Sequence, residues 1–267
     1  MATQHESKWP RLAVENQMEL LAYVGSSPVA KRHRTAELDW VITGIPSNDY
    51  NGILKTHLSI HQADQRIEKV IEHFDRAQLP FVWYVSEDSR PADLPQRLGR
   101  MGCRRLAPGV DMAIDLANLP DRTFSADVRI QPVRTVDELS VWTHLWAQLH
   151  DSPAEPRHAL YASLLHQPNS QLICFTAFRN GEPIGIAQLF LGTQTAGLYS
   201  VAVRSDYQRQ GVGTALSVTA LAAARQKGYS TAVTGPTPDS LGMYQRIGFT
   251  WFDSLLNAYH RWPESLP

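Results

Sequence analysis

The stretch VAVRSDYQRQGVGTAL, residues 201–216, leads from an apolar β-strand into an alanine-rich helix through a loop with two glycines. A helix start is normally capped by Ser, Thr, Asp or Asn, but Gly211 and Gly213 stand there instead. The free N–H groups of a helix start and the positive end of its dipole attract anions. Glycine also has no Cβ to keep a phosphate away from the backbone. The stretch therefore predicts a phosphate-binding strand–loop–helix unit.

Three phosphate-binding patterns compete for this loop. A P-loop requires a lysine after its last glycine, and no lysine follows here. A dinucleotide fingerprint requires a third glycine and an acid on the next strand, and the next strand, STAVTG, has no acid. Gln208, Gly211 and Gly213 complete a third pattern, Q/R-x-x-G-x-G/A, and Arg209 adds a cation. A tight turn that binds no ligand is the alternative reading of the same glycines.

Local signals define the elements of the second half of the chain. Thr135 and Glu138 form a T-x-x-E capping box before a helical pattern. Asn180-Gly181 joins two apolar runs, as in a β-hairpin, and Gly228 follows the alanine-rich helix as a C-terminal glycine. The predicted order is βααβββαβαββ, an α/β fold with a mixed central sheet.

The first half shows a weaker alternation of helices and strands. The segment NLPDRTFSAD is polar and contains a proline, so we expect a domain boundary near residue 125. The predicted domains are residues 1–125 and 126–267.

The two halves resemble each other when the chain is shifted by 146 residues. Arg100 and Gly102 then lie opposite Arg246 and Gly248, and GILKTH lies opposite LYSVAV. The first copy lacks both loop glycines, contains Asp64 in that region and has Leu98 where the second has a tyrosine. This pattern predicts a duplicated fold in which one copy binds a phosphate ligand.

Two segments of the second half resemble signatures of the GNAT superfamily of N-acetyltransferases. VAVRSDYQRQGVGTAL is similar to its acetyl-CoA signature, and LGMYQRIGF, residues 241–249, to its second signature. The resemblance covers residues 128–262 and implies the GNAT acyl-CoA N-acyltransferase fold, with a cleft where the strand before the loop splays from its neighbour. In the first half, the segment GIPSNDYNGIL, residues 44–54, has an NG pair after a G-x-P turn. With this segment the first half resembles the N-terminal domains of two-domain bacterial members, which implies two tandem GNAT-like domains, the first of them degenerate.

The resemblance also implies how acetyl-CoA, the cosubstrate, would be bound. Backbone N–H groups of the loop would surround the pyrophosphate, and the main chain of the preceding strand would pair with the pantetheine arm. The residues concerned are Val201, Ala202, Val203, Gln208, Arg209, Gln210, Gly211, Val212, Gly213 and Thr214. The family often has an asparagine where this chain has Thr237, whose hydroxyl can still contact the cofactor although Pro236 and Pro238 reshape the approach.

Tyr244 is the candidate general acid. A phenol with a pKa near 10 can protonate a departing CoA thiolate. Leu241, Tyr244 and Ile247 also share one helix face, so a core residue is the alternative reading of Tyr244.

The attacking amine must be neutral, so a base or a water relay is needed. The candidates are His150, Asp151, Glu155, His158 and Tyr199, and each is also read as a solvated or structural residue. The histidines and the two cysteines form no recognised metal motif, so we infer no metal.

Composition limits the classes of partner. The 267 residues include 25 basic and 26 acidic side chains, a balance that argues against nucleic-acid binding. No signal-peptide core or membrane-spanning run is present, so we expect a soluble cytoplasmic protein.

The first half would wall the acceptor cleft or mediate contacts in a homodimer. The sequence favours an acetyl-CoA-dependent N-acetyltransferase that acts on a primary amine of a small molecule or peptide. A non-catalytic CoA-binding sensor on the same fold is the alternative, and a pure interaction module is disfavoured by the complete glycine signature.

Overall fold

The computed structural model describes residues 8–107, 109–121, 124–150, 152–165 and 167–263. The chain divides into two compact units. Unit 1 comprises residues 1–19 and 110–254, and unit 2 comprises residues 20–109 and 255–267. Each unit has its own mixed sheet.

The helices of the described residues, numbered in chain order, are α1 (Trp9–Val24), α2 (Ala63–Ala77), α3 (Leu94–Arg100), α4 (Val136–His150), α5 (Glu155–Leu165), α6 (Val212–Gln226) and α7 (Pro238–Ile247). The strands of the same residues are β1 (Lys31–Arg34), β2 (Leu38–Ile42), β3 (Gly52–Thr56), β4 (Phe81–Tyr84), β5 (Arg104–Arg105), β6 (Val110–Asp115), β7 (Val128–Pro132), β8 (Leu172–Arg179), β9 (Glu182–Leu191), β10 (Ala196–Val203), β11 (Thr231–Thr234), β12 (Thr250–Asp253) and β13 (Ala258–Arg261).

The two sheets have the same topology, which confirms the predicted duplication. Unit 1 orders its strands β12-β6-β11-β10-β9-β8-β7, and unit 2 orders its strands β1-β2-β3-β4-β13-β5. Apart from β7, the strands correspond one to one. The pairs β3–β4 and β10–β11 are parallel, and the remaining pairs are antiparallel in both sheets.

Each half of the chain contributes its last strand to the sheet of the other half. Strand β6 from the first half lies between β11 and β12, and β13 from the second half lies between β4 and β5. Ala258 of β13 follows Met112 of β6 by 146 residues, the predicted offset. The exchange assigns β6 to unit 1 and β13 to unit 2, and unit 1 also includes α1 up to Glu19, so the compact units differ from the expected segments 1–125 and 126–267.

The predicted offset does not hold at the start of α2 and α6. Helix α2 begins at Ala63 and α6 begins at Val212, 149 residues later. Asp64 is therefore the counterpart of Gly213, each being the second residue of its helix. The loop before α6 is longer because it forms the glycine-containing turn.

The local signals of the second half are confirmed. Thr135 and Glu138 exchange backbone-to-side-chain hydrogen bonds of 3.1 and 3.2 Å, as a capping box requires. Asn180 and Gly181 both have positive φ, 53° and 85°, which suits a two-residue hairpin turn between β8 and β9. Gly228 follows α6 with φ 90°.

Two strands, β1 and β5, were not expected from the sequence. Their sequences, KRHR and RR, carry no apolar residue from which alternation could be detected. Strand β1 is the edge of its sheet, where charged side chains are common because they discourage pairing with other chains.

The core of unit 1 lies between its sheet, α6 and α7. Leu198, Val212, Leu216 and Tyr244 belong to one buried cluster on this side. The opposite face of the same sheet carries a second cluster, in which Trp9 and Ala13 of α1 pack against Ala113 and Val233. The sheet of unit 1 thus has an α6 face and an α1 face.

Candidate functional site

Strand β10 separates from β11 over most of its length. The two strands pair only at Ala196 and Gly197, whereas β10 continues to Val203. Beyond the last pair, Thr234 donates a side-chain hydrogen bond to the carbonyl oxygen of Leu198 at 2.9 Å. A cleft between the strands therefore begins next to Leu198, as expected from the sequence.

A bulge redirects β10 inside this cleft. Its pairing with β9 shifts register between Tyr199 and Ala202, and Ser200 has a φ of 50°. In a regular strand, Ser200 and Ala202 would share the α6 face with Leu198. Because of the bulge, Val201 and Val203 pack against the core on that face instead. The backbone of Val201, Ala202 and Val203 forms the wall of the cleft that leads to the glycine loop.

The loop before α6 combines two left-handed residues. Arg209 has a φ of 60° and Gly211 has a φ of 85°, a conformation that glycine adopts without strain. Gly211, the N-cap residue of α6, has no side chain that could cap the helix, and a Cβ built there would meet nothing within 4 Å. The helix start is therefore open to an anion on the side that the sequence predicted.

Side chains of the loop hold its backbone in place. Gln208 Nε2 donates to the carbonyl of Val203 at 3.1 Å, and Gln210 Nε2 donates to the carbonyl of Asp206 at 2.9 Å. Arg179 Nη1 donates to Gln210 Oε1 at 2.6 Å. The contacts described for Gln208 and Gln210 are thus structural, and Arg209 is exposed beside them.

Gly213 lies in the first turn of α6. A Cβ there would be 3.1 Å from Met243 Sδ on α7, so a side chain at this position would contact Met243 closely. Val212 is buried and Thr214 is half-buried. The two glycines therefore differ in their surroundings: Gly211 has open space around its α-carbon, whereas Gly213 lies close to α7.

Tyr244 lies on α7 with its side chain inside unit 1. It is 4% exposed, and its ring meets that of Phe249 edge-on at 5.3 Å. Burial raises the pKa of Tyr244 to about 12, although hydrogen bonds with Thr234 and Ser217 act in the opposite direction. Its hydroxyl is thus protonated at neutral pH and lies beside the residue that bridges β11 and β10.

Thr237 is the N-cap of α7. It forms a capping box with Ser240, whose Oγ accepts from the Thr237 backbone N–H at 2.9 Å. The Thr237 hydroxyl also donates to Ser240 Oγ at 3.0 Å. The residue is exposed at a helix start, and in this structure its side chain serves the cap.

The five candidate bases do not converge on one point. His150 stacks on Trp146 at 4.3 Å, Glu155 is exposed at the start of α5, and His158 Nδ1 lies 3.4 Å from Thr143 Oγ1. Asp151 lies outside the described residues. Tyr199 alone is on a strand that borders the cleft.

Helix α1 contributes a buried polar residue to the same face as Tyr199. The Tyr199 hydroxyl donates to Asn16 Oδ1 at 2.7 Å, and Asn16 Nδ2 donates to the carbonyl of Thr195 at 2.7 Å. Asn16 is 1% exposed, and a Cβ on Gly197 would collide with its Oδ1. Asn16 could not be predicted from the sequence, because no local pattern links α1 to β10.

Strand β6 brings a carboxylate to the α1 face. Asp111 lies two residues before Ala113 on β6, so the two side chains lie on the same face of the sheet, and Asp111 pairs with Phe252 of β12. Burial raises the pKa of Asp111, while a hydrogen bond from Ser254 acts in the opposite direction. The sequence shows two acids, Asp111 and Asp115, within the otherwise apolar run VDMAIDL, but this run lies in the first half of the chain and no local pattern links it to the cleft.

Among the described residues, no group of three or more His, Cys, Asp or Glu side chains is arranged to hold a metal ion. Within the same ranges, no helix has the length and apolar character that a membrane crossing requires.

Comparison with known proteins agrees with this geometry. Residues 137–249 match the family model described as the acetyltransferase (GNAT) family. No curated protein matches the chain.

Solved structures share the fold along most of the chain. A GCN5-related N-acetyltransferase from Kribbella flavida is 16% identical, with a TM-score of 0.66 over 96% of each chain. A tandem GNAT protein from the clavulanic acid biosynthesis pathway is 14% identical, with a TM-score of 0.60 over 98% of this chain and 95% of its own. A GCN5-related N-acetyltransferase from Sphaerobacter thermophilus is 14% identical, with a TM-score of 0.55 over 78% of this chain and 70% of its own.

Proposed function

Because residues 137–249 form a domain of the acetyltransferase (GNAT) family, we propose that the chain transfers an acetyl group from acetyl-CoA to a primary amine. The observation that carries the proposal is the open start of α6 beside a splayed β10. An uncapped helix start with Gly211 at φ 85° suits a pyrophosphate, and the free edge of β10 suits the amide-bearing arm of CoA.

The residues proposed to hold acetyl-CoA lie in three groups. The main chain of Val201, Ala202 and Val203 pairs with the pantetheine arm. The pyrophosphate lies against the backbone N–H groups of the loop, with Arg209 beside it. Thr237 adds a contact at the start of α7. The acetyl thioester supplies the electrophilic carbonyl.

Tyr244 is proposed to hold and deliver a proton. As the N–C bond forms and the C–S bond breaks, the phenol proton passes to the sulfur, and the phenolate recovers a proton from the acylated nitrogen. Burial keeps the phenol protonated but also makes it a weaker acid, so the transfer depends on the sulfur lying within hydrogen-bond reach of the Tyr244 hydroxyl as the C–S bond breaks. The first half, residues 1–125, is proposed as a degenerate GNAT-like domain that binds no CoA.

The acceptor is proposed to be a small-molecule or peptide amine, with no part for nucleic acid or membrane. We propose a cytoplasmic location and leave the homodimer as a proposal for sedimentation analysis.

The experiment is release of free thiol from acetyl-CoA across a panel of primary amines that includes polyamines, amino acids, aminoglycosides and lysine peptides. Turnover with at least one amine, above the rate without amine, is the expected result. The burial of Tyr244 and its hydrogen bonds to Thr234 and Ser217 favour one alternative, a CoA-binding sensor in which this residue only packs. Tight CoA binding without turnover on any amine would establish that alternative.

A further inference from the structure

The proposed acetyl transfer leaves one requirement unmet, a group that binds the acceptor's ammonium and takes its proton. Because CoA would reach the cleft from the start of α6, the amine must attack from the opposite side, the α1 face. Trp9, Leu12, Ala13 and Phe252 make much of this face apolar. A carboxylate there is therefore conspicuous.

Asp111 is that carboxylate. On β6, Met112, Ile114 and Leu116 belong to the core on the α6 face, whereas Ala113 belongs to the cluster on the α1 face. Asp111 and Ala113 are two residues apart on one strand, so their side chains share the α1 face. Phe252, which pairs with Asp111, also packs on this face.

The register places Asp111 beside the cleft. Met112 pairs with Thr234, the last residue of β11 and the one whose hydroxyl reaches Leu198 across the gap. Asp111 is one residue further toward the open end, next to Gly235. Paired strands lie about 4.8 Å apart, and the splay of β10 from β11 makes the distance between β6 and β10 at this end greater than two such spacings. An acceptor amine and an acetyl group fit within that span.

The surroundings of Asp111 leave room for a ligand. A Cβ built on Gly235 would be 3.7 Å from Asp111 Oδ1, and Gly235 is exposed. The influences on the carboxyl pKa among the described residues are burial, which raises it, and the hydrogen bond from Ser254, which lowers it. No described charged side chain contributes to this shift, so an arriving ammonium would be the first cation to do so.

We propose that Asp111, supplied by a strand of the first half, receives the ammonium of the acceptor and acts as its general base. One N–H proton passes to an Asp111 oxygen, the nitrogen keeps its electron pair, and the neutral amine attacks the thioester carbonyl. The protonated carboxyl then returns its proton to water. This inference rests on the proposed acetyl transfer, and it assigns a catalytic purpose to the exchange of strand β6.

The test compares Asp111→Asn with Asp115→Asn, a matched change on the same strand. Asp115 pairs with Thr231 at the far end of β11, and its cap to the N–H of Ala117 at 2.9 Å can be kept by asparagine. Kinetics are measured with acetyl-CoA and the amine of the panel that the wild type acetylates fastest. A positioned base contributes about 10²–10⁴-fold, so kcat/KM for the amine should fall at least about 100-fold in Asp111→Asn alone. Affinity for CoA should not change.

Two further readouts separate a base from a structural residue. Activity of Asp111→Asn should recover as pH rises, because free amine then replaces the base. Ser254→Ala, which keeps Asp111 itself, should move the acid limb of the pH profile to higher pH, because it removes a hydrogen bond that lowers the carboxyl pKa. Unchanged kinetics in Asp111→Asn, or an unmoved limb in Ser254→Ala, would overturn the inference alone. Absence of turnover by the wild type would overturn the proposed function together with it.

Discussion

Arg97 donates a hydrogen bond from Nη1 to Asp64 Oδ1 at 2.7 Å, in the part of unit 2 that corresponds to the glycine loop before α6 in unit 1. Asp64 is the second residue of α2, as Gly213 is of α6, and Arg97 precedes Met243 by 146 residues. The ion pair thus replaces the Gly213–Met243 contact. A carboxylate in the first turn satisfies the positive end of the α2 dipole and repels a phosphate.

The first prediction is that one chain binds one CoA. Besides Asp64, α2 begins after Gln62 with a φ of −106°, whereas α6 begins after Gly211 with a φ of 85°. The unit 2 loop therefore lacks the turn that aims backbone N–H groups at an anion. Isothermal titration calorimetry with CoA should give a stoichiometry of one, and two molecules per chain would contradict the prediction.

A variant of unit 2 makes this test more stringent. Asp64→Gly with Arg97→Met reproduces the residues of unit 1 but leaves the turn at Gln62 unchanged. We expect the stoichiometry to stay at one, because removing the repulsion does not create the missing N–H cradle. A second binding event in this variant would show that charge alone had closed the site.

The second prediction concerns Gly211→Ala, with Gly228→Ala as its control. Both glycines have positive φ, 85° and 90°, and a Cβ on either meets nothing within 4 Å. Each change should cost about 1 kcal/mol of unfolding free energy for the left-handed backbone. Only Gly211→Ala should also raise the Kd of CoA, by about tenfold, because its Cβ stands where the phosphate approaches.

Calorimetry on both variants, with thermal unfolding alongside, separates the two effects. Equal CoA affinity in Gly211→Ala and Gly228→Ala would show that the pyrophosphate lies elsewhere.

The sequence was sufficient for features that depend on adjacent residues. The Thr135–Glu138 box, the Asn180-Gly181 turn and the uncapped start of α6 each arise from residues a few positions apart. The strand exchange could not be predicted in this way, because the alternation in VDMAIDL fits either sheet equally well. For the same reason Asn16 and Asp111 were missed, since each lies near the cleft only through contacts made about 120 or more residues away.

The third prediction concerns catalysis by Tyr244→Phe. Phenylalanine keeps the packing against Phe249 but removes the proton proposed for the departing thiolate. We expect kcat to fall by about 100-fold with little change in the Kd of CoA. Tyr229→Phe is the control, because it removes a hydroxyl that donates to the carbonyl of Gly192 at 2.7 Å, outside the proposed site. Equal rates in the two variants would leave Tyr244 as a packing residue.

The fourth prediction uses the same variant to test the pKa of Tyr244. Burial raises this pKa from 10 to about 12, so the folded protein holds the phenol proton more firmly than the unfolded chain does. The resulting stability is present below about pH 10 and is lost as pH rises toward 12, a loss of about 2–3 kcal/mol in all. Phenylalanine cannot ionise, so this part of the alkaline loss should be absent in Tyr244→Phe. Urea unfolding at about pH 9 and about pH 11 measures the unfolding free energy of both proteins. An equal loss of unfolding free energy between the two pH values in wild type and variant would contradict the assigned burial.

The fifth prediction tests how α1 belongs to unit 1. A Cβ on Gly197 would collide with Asn16 Oδ1 and with an edge atom of the Tyr199 ring. Gly197→Ala should therefore displace Asn16 and cost about 1–3 kcal/mol, the usual penalty for overpacking. Gly99→Ala is the control, because a Cβ there meets nothing within 4 Å and alanine favours the helix. Hydrogen exchange should accelerate in residues 9–19 of Gly197→Ala and not in Gly99→Ala. Unchanged hydrogen exchange in both variants would mean that the hydrogen bonds of Asn16 do not anchor α1 to β10.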